Sequence, residues 1–149
     1  MTKTNNPLNL NDEDLGKGMF LVAVMGIVFD TKTRKILIGR KENDPHVPKL
    51  SWCFPGGRPK HNEELEDAIK REVKEETGLD VESLGSIFTR ILPEQKNILL
   101  IYYLCEVTGG KEEMSDEFKE LKWVRPEELE KHFTTSVHPQ LKEYILNLG

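Results

Sequence analysis

Apolar positions along the chain fall into runs that predict strands alternating with three helices. The run from 20 to 29 is almost continuously apolar, as expected for a buried strand, and is too short to span a bilayer. Shorter apolar runs predict further strands at 36–40, 83–92, 97–107 and 118–124. Helical spacing of the apolar residues predicts helices at 63–77, 125–133 and 138–148. We therefore expect an α/β fold in which a mixed β-sheet is sandwiched between helices.

Loops and caps complete this outline. Two prolines make 41–51 a loop, and Pro55, Gly56 and Gly57 read as a turn before the first helix. Asn62 is the predicted N-cap of that helix, and Gly78 occupies the position of a left-handed C-terminal cap.

Helix 63–77 carries acids on the side that it should bury. At 100° per residue, with Leu65 at 0°, Ile69 and Val73 fall at about 40° and 80° and form an apolar face. Glu76 falls at about 20° and Glu72 at about 340°, inside or beside that face. The helix therefore turns carboxylates toward its own core.

These carboxylates need a counter-ion. Arg71 can offset Glu75 one turn away, but Glu72 and Glu76 have no cation among their near neighbours on that face of the helix. Magnesium and manganese prefer oxygen ligands, and glutamates at i, i+3 and i+4 project three carboxylates from adjacent turns. The alternative is a solvated acidic face. Backbone carbonyls at Gly56 and Gly57 favour the metal site.

Composition sets the surroundings of this site. The chain has 149 residues, the size of one domain, and its net charge of −5 argues against a surface that coats nucleic acid. Its two cysteines show no zinc spacing and the first 18 residues contain no apolar signal segment. We expect a cytoplasmic protein with no membrane anchor. Residues 1–18 should form a flexible leader and residues 19–149 one domain.

One stretch has a recognisable signature. From Gly57 to Leu79 the sequence reads G-x5-E-x7-R-E-U-x-E-E-x-G-U, where U is a bulky aliphatic residue. Nine constrained positions over 23 residues resemble the box of the Nudix hydrolases without a departure. The segments "RKILIGRKENDPHVPKLSWCFPGG" and "ELKWVRPEEL" are similar to MutT-like members. The resemblance covers about residues 19–148 and implies the Nudix fold.

This resemblance implies a reaction and a set of roles. Nudix hydrolases cleave a nucleoside diphosphate that is linked to another group, and they use divalent ions. Arg71 would hold the glutamates in place and Glu63 would tie the loop to the helix. The implied ligands of Mg²⁺, with Mn²⁺ as the alternative, are the Gly56 carbonyl, Glu72, Glu75 and Glu76. The general base would be one of the helix glutamates, Glu75 or Glu76, or a later acid, Glu117 or Glu120.

Substrate contacts are predicted around the same site. Arg40 lies where MutT-like members place an arginine that contacts phosphate, and Lys49 and Arg58 would add positive potential. Phe54 could stack on a base or belong to the core. For each of these residues a purely structural or solubilising role is the alternative.

The length and lead-in of the chain resemble nucleoside triphosphate pyrophosphohydrolases that release a nucleoside monophosphate and pyrophosphate. Val137 stands where the 8-oxo-dGTP enzymes carry an asparagine that reads the base, which argues against oxidised guanine as substrate. ADP-ribose or a nucleotide sugar is the alternative substrate, and a non-catalytic nucleotide-binding module is the alternative function. Relatives of this kind are often homodimers.

Overall fold

The computed structural model describes residues 18–45, 47–48 and 50–149, and residues 1–17, 46 and 49 lie outside its description. Seven strands within the described residues form one sheet. These strands are β1 Leu21–Asp30, β2 Lys35–Arg40, β3 Trp52–Cys53, β4 Gly56–Gly57, β5 Leu79–Ile91, β6 Ile98–Gly110 and β7 Glu120–Val124. The helices are α1 Leu65–Thr77, α2 Leu129–His132 and α3 Pro139–Leu146, with a 3-10 turn at Pro126–Glu128.

The sheet is mixed, as predicted. Its main path runs β3-β2-β1-β6-β5, while β4 pairs with β1 and β7 pairs with β2. Only β1 and β6 run parallel among the described strand pairs, with Leu21 opposite Ile98 and Phe29 opposite Glu106. The other pairs are antiparallel.

The two faces of the sheet pack against different helices. Side chains alternate along a strand, so Val24 and Val28 of β1 pack with Ile69 and Val73 of α1. On the opposite face, residues such as Ile27 pack with Leu129, Leu141 and Ile145 from α2 and α3. The predicted α/β arrangement, with helices on both faces of a mixed sheet, is confirmed. Cys53 and Cys105 are buried free thiols.

The start of α1 differs from the prediction. The helix begins at Leu65, and Glu64 precedes it in extended conformation. Asn62 is not the N-cap; its φ of 65° places it in a turn, and the Glu63 N–H donates to the Lys60 carbonyl at 3.2 Å. Glu63 is therefore part of the turn before the helix and not of its first turn.

Three other boundaries also moved. β5 starts at Leu79, directly after the glycine cap of α1, although the prediction began this strand at Ser83. Gly56 and Gly57 form a short strand paired with Met25 and Val24 of β1, where a turn was predicted. The predicted helix 125–133 is a 3-10 turn followed by four residues of α-helix.

Candidate active site

Glu76 is the most buried charged residue of α1, with 1% of its surface exposed. Its Oε1 accepts a hydrogen bond from the Gly56 N–H at 2.7 Å, which ties α1 to β4. Its Oε2 is buried and has no hydrogen-bond partner among the described residues. A buried carboxylate oxygen without a partner is costly, so this atom marks a place where a cation would be stabilised.

The nearest cation to that oxygen comes from β2. Lys41 follows the last residue of β2, and its Nζ lies 3.9 Å from Glu76 Oε2 and 5.3 Å from the centre of the Phe118 ring. Lys41 was missed by the sequence analysis, which selected Arg40. Leu37 of β2 packs on the α1 face, so strand alternation could have indicated that face for Lys41 as well.

The environment of Glu76 opposes its charge. Burial raises the pKa of Glu76 to about 9, and the Glu117 carboxylate beside it adds to this increase. Lys41 acts in the opposite direction. At neutral pH the Glu76 carboxyl therefore holds a proton unless additional positive charge reaches it.

Arg71 gathers the other glutamates of the motif around one guanidinium. Its Nε and Nη2 donate to the two oxygens of Glu63 at 2.7 and 2.9 Å. Its Nη1 donates to Glu72 Oε1 at 2.8 Å and to Glu75 Oε2 at 3.2 Å. The expected pairing with Glu75 is present, but the statement that Glu72 has no nearby cation was wrong. The long arginine side chain reaches the carboxylate of the adjacent residue.

Glu63 links this cluster to the preceding loop. Besides its two bonds to Arg71, its Oε1 accepts from the Lys60 N–H at 2.9 Å. The hydrogen bond from Arg71, followed by that from Lys60, lowers the pKa of Glu63 to about 2. The Arg58 carbonyl accepts from Arg71 at 3.3 Å. Loop and helix are thus held together through a single arginine.

Gly57 keeps the space next to Glu72 open. A Cβ at position 57 would collide with the Glu72 carboxylate, so Gly57 leaves room for that side chain where it now lies. Glu72 is 13% exposed, and burial raises its pKa despite the bond from Arg71. Its second oxygen, Oε2, faces the loop.

The donor set fits a hard divalent cation, since it consists of carboxylate oxygens and includes the unpartnered Oε2 of Glu76. In the described part of the chain, however, no three acidic, histidine or cysteine side chains converge closely enough to form a ligand cluster. Glu72 and Glu75 are held on the Arg71 guanidinium, whereas Glu76 is held by the Gly56 N–H.

The two later acids occupy different environments. The loop after β6 is bound to the end of α1, because Glu113 N–H donates to the Thr77 carbonyl and Ser115 N–H to the Glu76 carbonyl. This loop brings Glu117 next to Glu76. Glu120 lies opposite Arg40 in the β2–β7 pairing, and the two side chains form an ion pair at 3.4 Å.

The predicted substrate contacts are also separated by the fold. Arg40 is engaged by Glu42 at 3.1 Å as well as by Glu120. Phe54 is 3% exposed and packs edge-on against Tyr102 and Phe133. Lys49 lies outside the described residues.

A cavity of about 200 Å³ opens at Gly56 and Gly57, which contact Glu76 and Glu72, but no described glutamate lines it. Lys41, Gly56, Gly57 and Arg58 belong to its lining, so it borders the loop that holds Glu76 and Glu72. Most of the remaining wall is apolar and comes from β1, β6 and the segment before α3. Phe54 belongs to this wall while also packing in the core.

Comparison with known proteins decides the family. Residues 19–145 match the NUDIX domain. The chain belongs to the Nudix family. Nudix hydrolases generally depend on a divalent metal and act on small nucleotide substrates.

Two curated Nudix relatives with similar sequences are named for different substrates. An ADP-ribose pyrophosphatase of Methanocaldococcus jannaschii is 35% identical over 102 residues, which cover 66% of this chain and 58% of the relative. An 8-oxo-dGTP diphosphatase of Buchnera aphidicola is 37% identical over 89 residues, which cover 59% and 65%. The aligned segments thus span less than two thirds of either relative's length.

The Nudix fold itself is supported by solved structures. The crystal structure of a MutT protein from Methanosarcina mazei superposes with a TM-score of 0.68 at 19% identity. The match covers 89% of this chain and 94% of that protein. Across the described residues of this Nudix chain, no helix combines the length and apolar character that a membrane crossing requires.

Proposed function

We propose that this protein is a Mg²⁺-dependent hydrolase that cleaves the pyrophosphate linkage of a nucleoside diphosphate derivative, with a nucleoside triphosphate as its substrate. The observation that carries this proposal is the buried carboxylate of Glu76. Its Oε2 is buried without a hydrogen bond in the complete Nudix motif, and Gly56, which binds its Oε1, lines an apolar cavity that can take a nucleoside. We expect the protein to act in the cytoplasm.

The charges around the cavity suit a diphosphate. Glu72, Glu75 and Glu76 would hold a divalent ion, which would supply positive charge for the diphosphate and would lower the pKa of a bound water. Lys41 and Arg58 line the cavity beside these acids and can contact phosphate oxygens directly. Lys41 is better placed for this contact than Arg40, which is paired with two glutamates.

Positioning of the acids comes from hydrogen bonds within the chain. The Gly56 N–H fixes Glu76 Oε1, and Oε2 is left without a hydrogen bond, with Lys41 Nζ 3.9 Å away. Arg71 holds Glu72 and Glu75 from one side, and Glu63 holds Arg71. These bonds hold each acid in the site before substrate arrives, and the carboxylates have to move closer together to share one ion.

Glu117 is the later acid that the geometry favours as general base. It lies next to Glu76, whereas Glu120 is held by Arg40. Its carboxylate is exposed and can take the proton from a water that attacks phosphorus. Glu75, which is 57% exposed, is the helix alternative.

ADP-ribose remains the second candidate substrate, because the archaeal relative described above carries the name ADP-ribose pyrophosphatase. The two candidates differ in their products. A nucleoside triphosphate yields a monophosphate and pyrophosphate, whereas ADP-ribose yields AMP and ribose 5-phosphate. Identifying the products by mass therefore separates them.

A substrate panel tests the proposal. The wild type should hydrolyse a nucleoside triphosphate in the presence of Mg²⁺ and lose activity when the metal is chelated. Glu76→Gln should lower kcat by about 100-fold or more, because it removes a negatively charged ligand. Glu66→Gln, at an exposed position on the same helix, is the matched control and should retain full activity. A wild type that cleaves nothing in the panel, or an active Glu76→Gln, refutes the hydrolase.

A further inference from the structure

Residues 133–138, which we call the strap, form one wall of the cavity. The strap connects α2 to α3, and four of its residues line the cavity: Phe133, Thr135, Ser136 and Val137. The strap shares this lining with apolar residues of β1 and β6, such as Ala23 and Leu100.

Ring contacts fasten both ends of the strap to the sheet. The Phe133 ring packs against Phe54 with centroids 5.0 Å apart, and the His138 ring packs against Phe88 of β5 at 4.7 Å. Between these anchors the strap has no regular secondary structure. Its middle therefore needs another restraint if its position is to be fixed.

Glu94 and Arg90 supply that restraint by holding Ser136, and we call these three residues the clamp. Glu94 Oε2 accepts from the Ser136 N–H at 2.7 Å, and its Oε1 accepts from the Ser136 hydroxyl at 3.1 Å. Arg90 Nη2 donates to the Ser136 hydroxyl oxygen at 2.9 Å. Arg90 lies near the end of β5 and Glu94 lies in the turn between β5 and β6, so the clamp joins this hairpin to the strap.

The clamp determines what the strap offers to a ligand. The N–H and hydroxyl of Ser136 are both engaged, and Arg90 Nη1 also approaches the Ser136 carbonyl at 3.5 Å. The next residue, Val137, is apolar and lines the cavity. A base in this part of the cavity would pack against a fixed apolar wall, and the clamped serine has no free donor with which to read it.

We propose that Glu94 and Arg90 are specificity-determining positioning residues, which hold Ser136 so that the strap forms a rigid apolar wall for the nucleobase of the substrate. This inference rests on the proposed function, because it takes a nucleotide as the ligand. The clamp acts on the base and not on the phosphates, which Lys41 and Arg58 of the lining would bind.

A purely structural role would leave a different signature. Arg90 and Glu94 are partly exposed and Ser136 is exposed, and hydrogen bonds between exposed groups add little to global stability. Their loss should therefore change the thermal midpoint slightly while it frees the strap. The effect should fall on the part of the binding affinity that comes from the base.

Equilibrium binding without catalysis isolates that part. The affinities of AMP, GMP, CMP and UMP are each compared with that of ribose 5-phosphate, which lacks the base. The wild type should bind one of these nucleotides most tightly, and the ratio of that affinity to the affinity for ribose 5-phosphate measures its preference. In Glu94→Ala this ratio should be about fivefold smaller, equivalent to about 1 kcal/mol. The affinity for ribose 5-phosphate itself should stay within about twofold.

Two further variants provide the controls. Glu94→Gln keeps an oxygen that can accept from the Ser136 N–H, so it should restore most of the preference. Glu82→Ala removes an exposed glutamate of β5, the strand that carries Arg90; its ion-pair partner is Lys70, and the variant should behave like the wild type. With a hydrolysed nucleotide, Glu94→Ala should raise KM and leave kcat unchanged.

The inference is overturned if Glu94→Ala keeps the preference of the wild type. It is equally overturned if the variant loses as much affinity for ribose 5-phosphate as for the nucleotides. It is also overturned if the wild type shows no preference for a nucleotide over ribose 5-phosphate. A wild type that shows the preference, loses it in Glu94→Ala and yet hydrolyses no nucleotide would refute the proposed hydrolase and support the clamp.

Discussion

Arg71 shows how one side chain can offset the repulsion among several neighbouring carboxylates. Its guanidinium has donors in a rigid fork, and two of them bind Glu63 while a third is shared between Glu72 and Glu75. A lysine carries the same charge but cannot make this planar pair of bonds. The requirement for arginine at this position of the motif therefore follows from geometry and not from charge alone.

The bonds between Glu63 and Arg71 predict a loss of stability in acid. The pKa of Glu63 is about 2 in the folded protein, below its ordinary value of 4.5. Its contribution is therefore present above about pH 4.5 and is lost as the pH falls toward 2. Urea unfolding should show wild type more stable than Glu63→Gln at pH 7, with the difference shrinking by pH 3.

The control for this prediction is Glu64→Gln, a neighbouring exposed position. It should show no comparable narrowing of the difference between pH 7 and pH 3. If the gap between wild type and Glu63→Gln is the same at both pH values, the pKa of Glu63 is not lowered in the folded protein.

Individual residues were placed correctly from the sequence where all the residues concerned lie on one helix. The angular position of Glu76 on the apolar face indicated a buried carboxylate, and Glu76 is buried. Lys41 could not be found in this way, because its contact with Glu76 joins β2 to α1. Helical geometry relates residues within a few turns, whereas contacts between elements depend on how the sheet places them.

At the scale of elements, the junction between α1 and β5 leaves almost no freedom. Gly78 has a φ of 78°, and the strand begins at the next residue. Its N–H donates to the Lys74 carbonyl at 2.9 Å and closes the helix. The loop after β6, which brings Glu117 to the site, packs against Gly78 through Lys111 and Glu113. Gly78 therefore contacts this loop while it also joins the end of α1 to the start of β5.

Gly78→Ala should therefore destabilise the fold. A left-handed conformation costs a residue with a side chain about 1–2 kcal/mol, and a Cβ here would also collide with the Lys111 carbonyl. Gly109→Ala is the matched control, since its Cβ would meet only Asp80 Oδ2 at 3.7 Å. Thermal unfolding of both variants should show a clear loss for Gly78→Ala and a small change for Gly109→Ala. Equal midpoints would contradict the strain at Gly78.

Helices and strands were predicted well where the hydrophobic pattern was long. They were predicted less well where contacts with another part of the chain determine the local structure. The long strands and α1 were present in the hydrophobic pattern. Gly56 and Gly57 have little strand propensity, and they are extended because β1 supplies their pairing partners. Asn62 is a good capping residue by type, but the bonds of Glu63 to Lys60 and Arg71 place the helix start beyond it.

For the whole molecule, metal binding and folding should be linked. A cation that binds the folded site and not the unfolded chain stabilises the protein by about 2.7 kcal/mol at a concentration 100 times its Kd. We expect Mg²⁺ to raise the thermal midpoint of the wild type and of Glu66→Gln. Glu76→Gln should lose most of this increase. An equal increase in all three proteins would place the ion somewhere other than Glu76.

The order in which the strands pair has a consequence for synthesis on the ribosome. β1 lies in the middle of the sheet, yet Leu21 finds its parallel partner only when Ile98 has been made. Until then the apolar edge of β1 is open, and nascent chains that end before β6 expose a strand that can pair with another chain. We therefore expect early translational stops to yield aggregation-prone fragments, and the growing chain to depend on chaperone protection until β6 emerges.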